Sequence, residues 1–521
     1  MRSFAFILPL VFLVITDALA DDINATLPKV KLPKATMLKN STVSYLDKPI
    51  EVDSFGELFS EGKFYGRLRS NTFYFNWNDV DTSHDNTFIT GIGGSVVYQS
   101  AIYSGFGFGA GLYYSHGFFD ESIDPALRFK AGKDAFSRYT FLKTGNKNMA
   151  VLSQAYLQYA WWNETSVKLG RQLVESFYTK SNDTKMIPNT FDGLVFNTED
   201  IPDSSLQLAY LQRQKLRDHV EAHAVLMVGD CQSDGCYDPT DDDLKKIASL
   251  SENDDSAMHK GLTYTALKEA GKPTNAGLIT GDFHTSVAQY NLDLDASFYV
   301  VPELLSQVML EGNYEFNFGN VRMIPGVRYI KQFDNGAGEV GGASLSGDLN
   351  ATNQKSYNNY DSLESQMIAA RLVFKIDKYK VNLGYTYILD EADLVTPWRG
   401  FPTSGYTRSM ARYNWKANTK SYRAEFVRCT STDGIYNDVY VQASIMYQDN
   451  DEDKSTLLLD DSLYYYFGLM QNIAVLDNMQ WRFRIGYQQY LNTSPKTIDS
   501  TTFNDSDLNN LDARFELNYF F

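Results

Sequence analysis

The sequence predicts an all-β protein, a transmembrane antiparallel β-barrel of about 18 strands, and three observations predict it. The chain ends on LDARFELNYFF, in which Leu511, Ala513, Phe515, Leu517, Tyr519 and Phe521 alternate with mostly polar residues. Period two over that length is a strand with one apolar and one wet face. A soluble domain ending on such a strand would expose a pairing edge, whereas a barrel closes its last strand on its first. Next, aromatic residues make up 14% of the chain, with 35 Tyr and 33 Phe, yet the mean hydropathy is only -0.33. Outward apolar positions and aromatic girdles diluted by a polar lumen and polar loops produce that combination. Last, alternating segments recur along the chain, and beyond its start none approaches the roughly 18 uninterrupted apolar residues of a spanning helix.

In chain order, Arg2, the apolar run 4–15 and the small residues Ala18 and Ala20 around Leu19 read as a signal peptide over 1–20. Residues 21–60, with Pro28, Pro33 and Pro49, read as an extended periplasmic lead-in segment. A single transmembrane barrel is expected over 61–521. Its alternating segments are 64–77, 90–103, 106–116, 152–162, 166–173, 193–198, 205–212, 219–228, 283–291, 294–301, 307–316, 321–332, 366–376, 380–389, 421–429, 439–447, 462–472, 480–491 and the terminal strand. Asp377 with Lys378, and Gly319 with Asn320, read as hairpin turns at one rim, with longer polar connectors at the other. Tilted strands of about 10 residues leave ample chain for loops, so no second domain is needed. The longest connector, 229–282, is expected to be an external loop with a short helix starting at Thr240.

Composition and motif spacing exclude several classes. A net charge of -17 argues against nucleic acid. Three cysteines exclude a disulfide framework, and only Cys231 and Cys236 are spaced for a local bridge, which the sequence leaves open. His219, Glu221 and His223 share one face of an expected strand, but a strand would hold the histidines roughly 13 Å apart, so no metal site is expected there. The acids Asp230, Asp234, Asp238, Asp241, Asp242 and Asp243 lack EF-hand spacing and read as a solvated loop, with calcium as the alternative. No cofactor is expected. Among six histidines there is no nucleophile elbow or local triad, so an enzyme is not expected.

Two passages resemble the OprD family of substrate-selective bacterial outer membrane porins. One runs Lys185, Met186, Ile187, Pro188, Asn189, Thr190, Phe191, Asp192, Gly193, with Glu199, Asp200, Ile201, Pro202 and Asp203 after it and a strand ending in Lys168, Leu169, Gly170, Arg171, Gln172 before it. The other is Thr396, Pro397, Trp398, Arg399, Gly400, Phe401, Pro402, followed by Gly405 and Tyr406. Gly62, Lys63, Gly66, Arg67, Leu68 and Arg69 are similar to the family's first barrel strand, while the acidic insert 231–243 departs from its pattern. The resemblance implies an inward-folded loop over about 175–191 that narrows the pore, with Lys185, Pro188, Asn189, Thr190 and Phe191 as its constriction. It also implies a ladder of basic side chains that guides carboxylate-bearing solutes. Phe521 resembles the terminal aromatic by which outer membrane barrels are addressed to their assembly machinery.

Strand parity supplies candidates for the ladder without the resemblance. If Phe483, Ile485 and Tyr487 face lipid, Arg482 and Arg484 face the lumen. The same argument turns Arg423 inward opposite Tyr422, Ala424 and Phe426. It likewise turns in Arg371 and Lys375, Arg322 and Arg328, and Arg67 and Arg69. Glu425 and Glu516 share that inward parity, so wall salt bridges compete with a role toward solute. The expectation is a bacterial outer membrane porin for passive diffusion of small hydrophilic solutes, with a preference for carboxylates. Its partners would be those solutes, outer membrane lipids and the assembly machinery, as a monomer or a homotrimer. A general porin, an attachment barrel and an enzymatic barrel are the alternatives. An energy-coupled receptor is disfavoured because the chain before Lys63 is too short for a plug domain.

Overall fold

The terminal strand closes the molecule. In the computed structural model, Asn510–Phe520 pairs antiparallel with Lys63–Trp77, and Phe521 exchanges two backbone hydrogen bonds with Gly66, at 2.7 and 3.0 Å. The structure describes residues 34–521 except 79–85, 120–130, 162–163, 227–258, 347–351, 430, 432–433, 455–460, 474–475, 477, 492–495, 499–500 and 504–507. The expected signal peptide, Cys231, Cys236, the acidic cluster and the helix at Thr240 lie outside the described residues.

Eighteen strands make the closed wall: β1 (Lys63–Trp77), β2 (Thr87–Gln99), β3 (Phe106–Phe119), β4 (Asn148–Trp161), β5 (Thr165–Gln172), β6 (Thr190–Thr198), β7 (Ser204–Lys215), β8 (Leu278–Val287), β9 (Leu292–Val301), β10 (Leu305–Tyr314), β11 (Val321–Asp334), β12 (Ser365–Ile376), β13 (Tyr379–Ile388), β14 (Lys420–Arg428), β15 (Tyr440–Asp449), β16 (Ser462–Ile473), β17 (Met479–Tyr490) and β18 (Asn510–Phe520). Each pairs antiparallel with its neighbour in sequence, and β18 closes on β1. One rim carries short turns, such as Asp377 and Lys378 between β12 and β13, where Asp377 takes φ 47°. The other rim carries the long connectors, apart from the three residues between β9 and β10.

Alternation decides both faces. Outward Leu68, Leu157 and Val327 are 59%, 65% and 63% exposed, which is tolerable only against hydrocarbon. Aromatic rings band the wall near the short turns, where Phe64 meets Tyr98 at 4.7 Å and Phe106 meets Tyr159 at 4.6 Å. Phe88, Tyr114, Phe118, Tyr329 and Tyr422 form the other girdle.

Of the nineteen alternating segments, eighteen coincide with wall strands and one does not. The chain leaves the wall after Lys215, and residues 219–226 fold inside, held by an isolated bridge between Gln214 and His223. Their apolar residues Ala224, Val225 and Leu226 pack on an interior cluster, so the apolar signal there is real but belongs to a packed loop. The rings of His219 and His223 consequently lie 5.0 Å apart rather than at strand spacing. β8 also begins at Leu278, earlier than the expected 283.

The lead-in expected over 21–60 is not simply extended. Its described part forms a hairpin, Ala35–Met37 with Val43–Tyr45, that reaches inward-facing wall side chains. A short pairing, Glu51–Val52 with Ile102–Tyr103, ties the following residues to the short-turn rim.

The candidate pore and its charged lining

Two connectors fill one side of the lumen. The β5–β6 connector and the β13–β14 connector cross there and share an isolated bridge between Thr179 and Arg399. Lys180 donates to the Trp398 carbonyl at 3.0 Å and Gly400 to the Tyr178 carbonyl at 3.0 Å. A Cβ on Gly400 would sit 2.1 Å from the Phe177 carbonyl oxygen, so the crossing requires glycine. Around it, Val174, Tyr178, Phe191, Leu211, Tyr299, Trp398 and Tyr406 form a buried cluster with inward residues of β6 to β13. Trp398 donates its indole N–H to the Val225 carbonyl at 2.8 Å, and Tyr299 its hydroxyl to the Val395 carbonyl at 2.8 Å. The Trp398 N–H and the Tyr299 hydroxyl are thus satisfied by loop backbone.

On the other side a cavity of about 1260 Å³ remains, walled by β12 to β18 and part of β1. It extends from Asn450, Lys454 and Tyr490 near the long connectors to Tyr440, Met470 and Lys39 near the short turns. Its described lining holds ten arginines and seven lysines against four carboxylates, Asp134, Glu425, Asp451 and Asp512. In a chain with 64 acids and 47 Lys plus Arg, that is a local inversion of charge.

The nine ladder candidates separate by location. Arg371, Arg423, Arg482 and Arg484 lie on the cavity surface. Arg67 and Arg69 point inward but are buried, each 2.6 Å from a carboxylate oxygen of Asp183 on the β5–β6 connector. Arg69 also bonds Glu516. Burial alone would raise the Asp183 carboxyl, but Arg67 and Arg69 outweigh it and hold it at about 2. Arg328 is buried at Glu311, 2.6 Å away, and donates to the carbonyls of Pro402 and Ser404 at 2.7 and 2.8 Å. Its guanidinium lies over Phe177 and Tyr406, at 4.8 and 4.6 Å. Arg322 and Lys375 sit opposite each other at the short-turn end, outside the cavity. Arg322 is 3.7 Å from Glu315.

Four arginines on the cavity surface remain, Arg371 half-buried and Arg423, Arg482 and Arg484 buried, and each is oriented by partners. Arg371 bonds Glu311 at 2.9 Å and Asn313 at 2.6 Å, and packs over Tyr406. Arg423 bonds Glu425, which also meets Lys380 at 3.3 Å. Arg484 lies 4.0 Å from Glu516, and its Nε and Nη2 atoms are buried without a hydrogen bond. Arg482 is taken up by the hairpin, donating to the carbonyls of Leu38 and Lys39 and to Ser41 Oγ at 2.9, 2.7 and 2.8 Å.

Of the five residues expected at the constriction, Lys185 borders the cavity, 3.9 Å from Asp134 and over the Phe73 ring at 4.5 Å. Burial pushes its ammonium well below the usual lysine range, with Asp134 opposing. Pro188, Asn189, Thr190 and Phe191 are buried where the connector returns to the wall. There Asn189 donates to the Ser181 carbonyl through its backbone and to the Lys180 carbonyl through its side chain. The connector's residues at the cavity are instead Lys180, Asn182, Thr184 and Lys185.

Sequence reasoning missed several lining cations. Arg514 and Lys380 were available from the parity used for Arg484, since both face inward on alternating strands. Arg408, Arg412 and Lys416 come from the β13–β14 connector, which has no period to read. Arg408 lies over Phe401 and Tyr413, at 4.3 and 5.3 Å, and Arg412 bonds Asn510 at 2.6 Å.

No protein-family model matches the chain, and no curated protein does. Solved structures do match in fold. OccK9 (OpdG) of Pseudomonas aeruginosa is 13% identical with a TM-score of 0.62, over 89% of this chain and 99% of that one. OpdK of Pseudomonas aeruginosa with vanillate is 12% identical with a TM-score of 0.59, over 88% and 98%. A BenF-like porin from Pseudomonas fluorescens Pf-5 is 11% identical with a TM-score of 0.61, over 89% and 99%. The chain therefore has the barrel fold of these proteins along nearly their whole length.

Proposed function

We propose that this protein is a bacterial outer membrane porin of the OprD type, passing small hydrophilic solutes by diffusion with a preference for those bearing carboxylates. The observation that carries the reading is the cavity lining, strongly basic inside a strongly acidic chain. Fixed cations in a narrow space with low-dielectric walls concentrate anions, and no energy source is needed. Arginine suits carboxylates because its planar fork can grip them bidentately. Vanillate, named with OpdK, is itself a carboxylate, which supports that choice of solute.

In this reading a solute enters between the long connectors and meets Arg408, Arg412 and Lys416. It then passes Lys185 on one side and Arg371, Arg423 and Arg484 on the other. Partial neutralisation by Glu311, Glu425 and Glu516 keeps each contact weak enough to release. The exposed apolar band meets outer membrane lipids, and Phe521 on the closing seam is presented to the assembly machinery. A catalytic or attachment role has no comparable support, since the proteins that share the fold include one named a porin.

The test is the reversal potential of the purified protein in a planar bilayer under a salt gradient, titrated with a small carboxylate such as benzoate. Anion preference that the carboxylate blocks or biases is expected. Conductance without preference would replace this reading with a general porin, and persistent silence would refute the channel.

A further inference from the structure

We propose that the amino-terminal hairpin is a working part of the pore: it narrows the short-turn end and presents Lys39 as the selectivity-determining cation there. This rests on the channel reading and adds to it a residue from outside the barrel wall.

A hairpin of two three-residue strands does not hold itself together in water, so its position comes from what it touches. It is fastened on three sides. On the wall, Gln480 donates to Thr36 Oγ1 and the Met37 carbonyl at 3.2 and 3.1 Å, and Arg482 donates to three oxygens at the tip. On the lumen connector, the Asp183 backbone donates to the Ser41 carbonyl at 3.1 Å and Thr42 to Glu175 at 3.2 Å. At the rim, Thr36 donates to the Gly434 carbonyl at 3.1 Å. Gly434 has φ 89°, and a Cβ there would come within 2.6 Å of Leu38 and 2.7 Å of Thr36. The β14–β15 turn is therefore shaped to admit this hairpin. Ala35 and Met37 complete the docking by packing with Phe520.

The tip is what reaches the cavity. Leu38 and Thr42 close the loop with a 2.9 Å hydrogen bond and Ser41 takes φ 68°, which leaves Lys39 and Asn40 exposed between them. Lys39, Asn40 and Ser41 border the cavity, on the side of Lys380, Arg423 and Arg482. Arg482 spends its hydrogen bonds on neutral oxygens of the hairpin, and Lys380 and Arg423 share Glu425, so among the described residues that border the cavity at this depth the exposed cation outside an ion pair is Lys39. The tip also occupies cross-section that a bare barrel would leave open.

The experiment compares single-channel conductance and reversal potential for the purified protein, a variant lacking residues 34–48, and Lys39→Glu. Removing the hairpin is expected to raise conductance by about twofold, as a constriction is lost. Lys39→Glu is expected to move the reversal potential toward cations. A deletion with parental conductance, or Lys39→Glu with parental reversal potential, overturns the proposal while leaving the channel reading intact. Silence from all three refutes the channel reading and the proposal with it. If the shortened chain fails to fold, Lys39→Glu decides alone.

Discussion

The packed half of the lumen and the open half use the same residue in opposite ways. Beside the β5–β6 connector, Arg67 and Arg69 converge on one buried aspartate, and Arg328 is closed in by Glu311 and two loop carbonyls. Across the lumen, Arg423 and Arg484 have the same inward parity and are as little exposed as Arg328, but they border the cavity. Parity places a side chain inside; the loops decide whether it becomes mortar or lining. In the packed half the arginines hold the connector that fills one side of the lumen, and in the open half they border the cavity, where the proposed function has them set its field.

The sharpest way to break this contrast is Asp183→Ala. It strands the buried Arg67 guanidinium and leaves Arg69 with Glu516 alone, and the expected loss is about 3–5 kcal/mol, read as a lowered unfolding midpoint in detergent micelles. An unchanged midpoint would mean that the connector is held by its apolar contacts alone. The same pair has a pH signature. Because the folded carboxyl sits at about 2, below its ordinary 3.8, its contribution is complete above about pH 4 and is lost as pH falls through 2. That contribution is about 2 kcal/mol. Acid titration of the parent should show this step and Asp183→Ala should lack it.

Glu311→Gln tests the second clamp, where one carboxylate serves both Arg328 and Arg371. About 2 kcal/mol of stability should be lost, because a charge-assisted bond to the buried Arg328 becomes a neutral one. Thermal unfolding would report it, and parental stability would show that the Pro402 and Ser404 carbonyls suffice. The open half should behave differently. Arg423→Ala with Arg484→Ala should lower the anion-to-cation permeability ratio roughly threefold, the scale of partly screened charges several ångströms from an ion. Retained selectivity in that double variant would shift the role to Arg408, Arg412 and Lys185. The smallest effect belongs to Arg322→Ala, outside both regions. It should stay within about 0.5 kcal/mol in stability and leave the reversal potential alone.

How far the sequence could be read depended on the range of the forces involved. The terminal strand, the turn at Asp377 and the inward face of β17 follow from alternation and turn chemistry, which act between neighbours. Segment 219–228 misled because its apolar residues pack inside the lumen rather than on lipid, and composition does not distinguish the two. Connectors carry no period, so Arg408 and Arg412 left no signal, whereas Arg514 left one in the parity of the strand that ends the chain.

The sequence by itself determined the barrel and the inward parity of the cations on its strands, because a pleated strand sends successive side chains to opposite faces whatever surrounds it. Only the tertiary structure decided which of those cations border the cavity. The partners that engage them come from far along the chain: Asp183 is 116 residues from Arg67, and Leu38 is 444 residues from Arg482. Pairings over such distances exist once the wall has closed and the connectors have folded into it, and no local pattern encodes them.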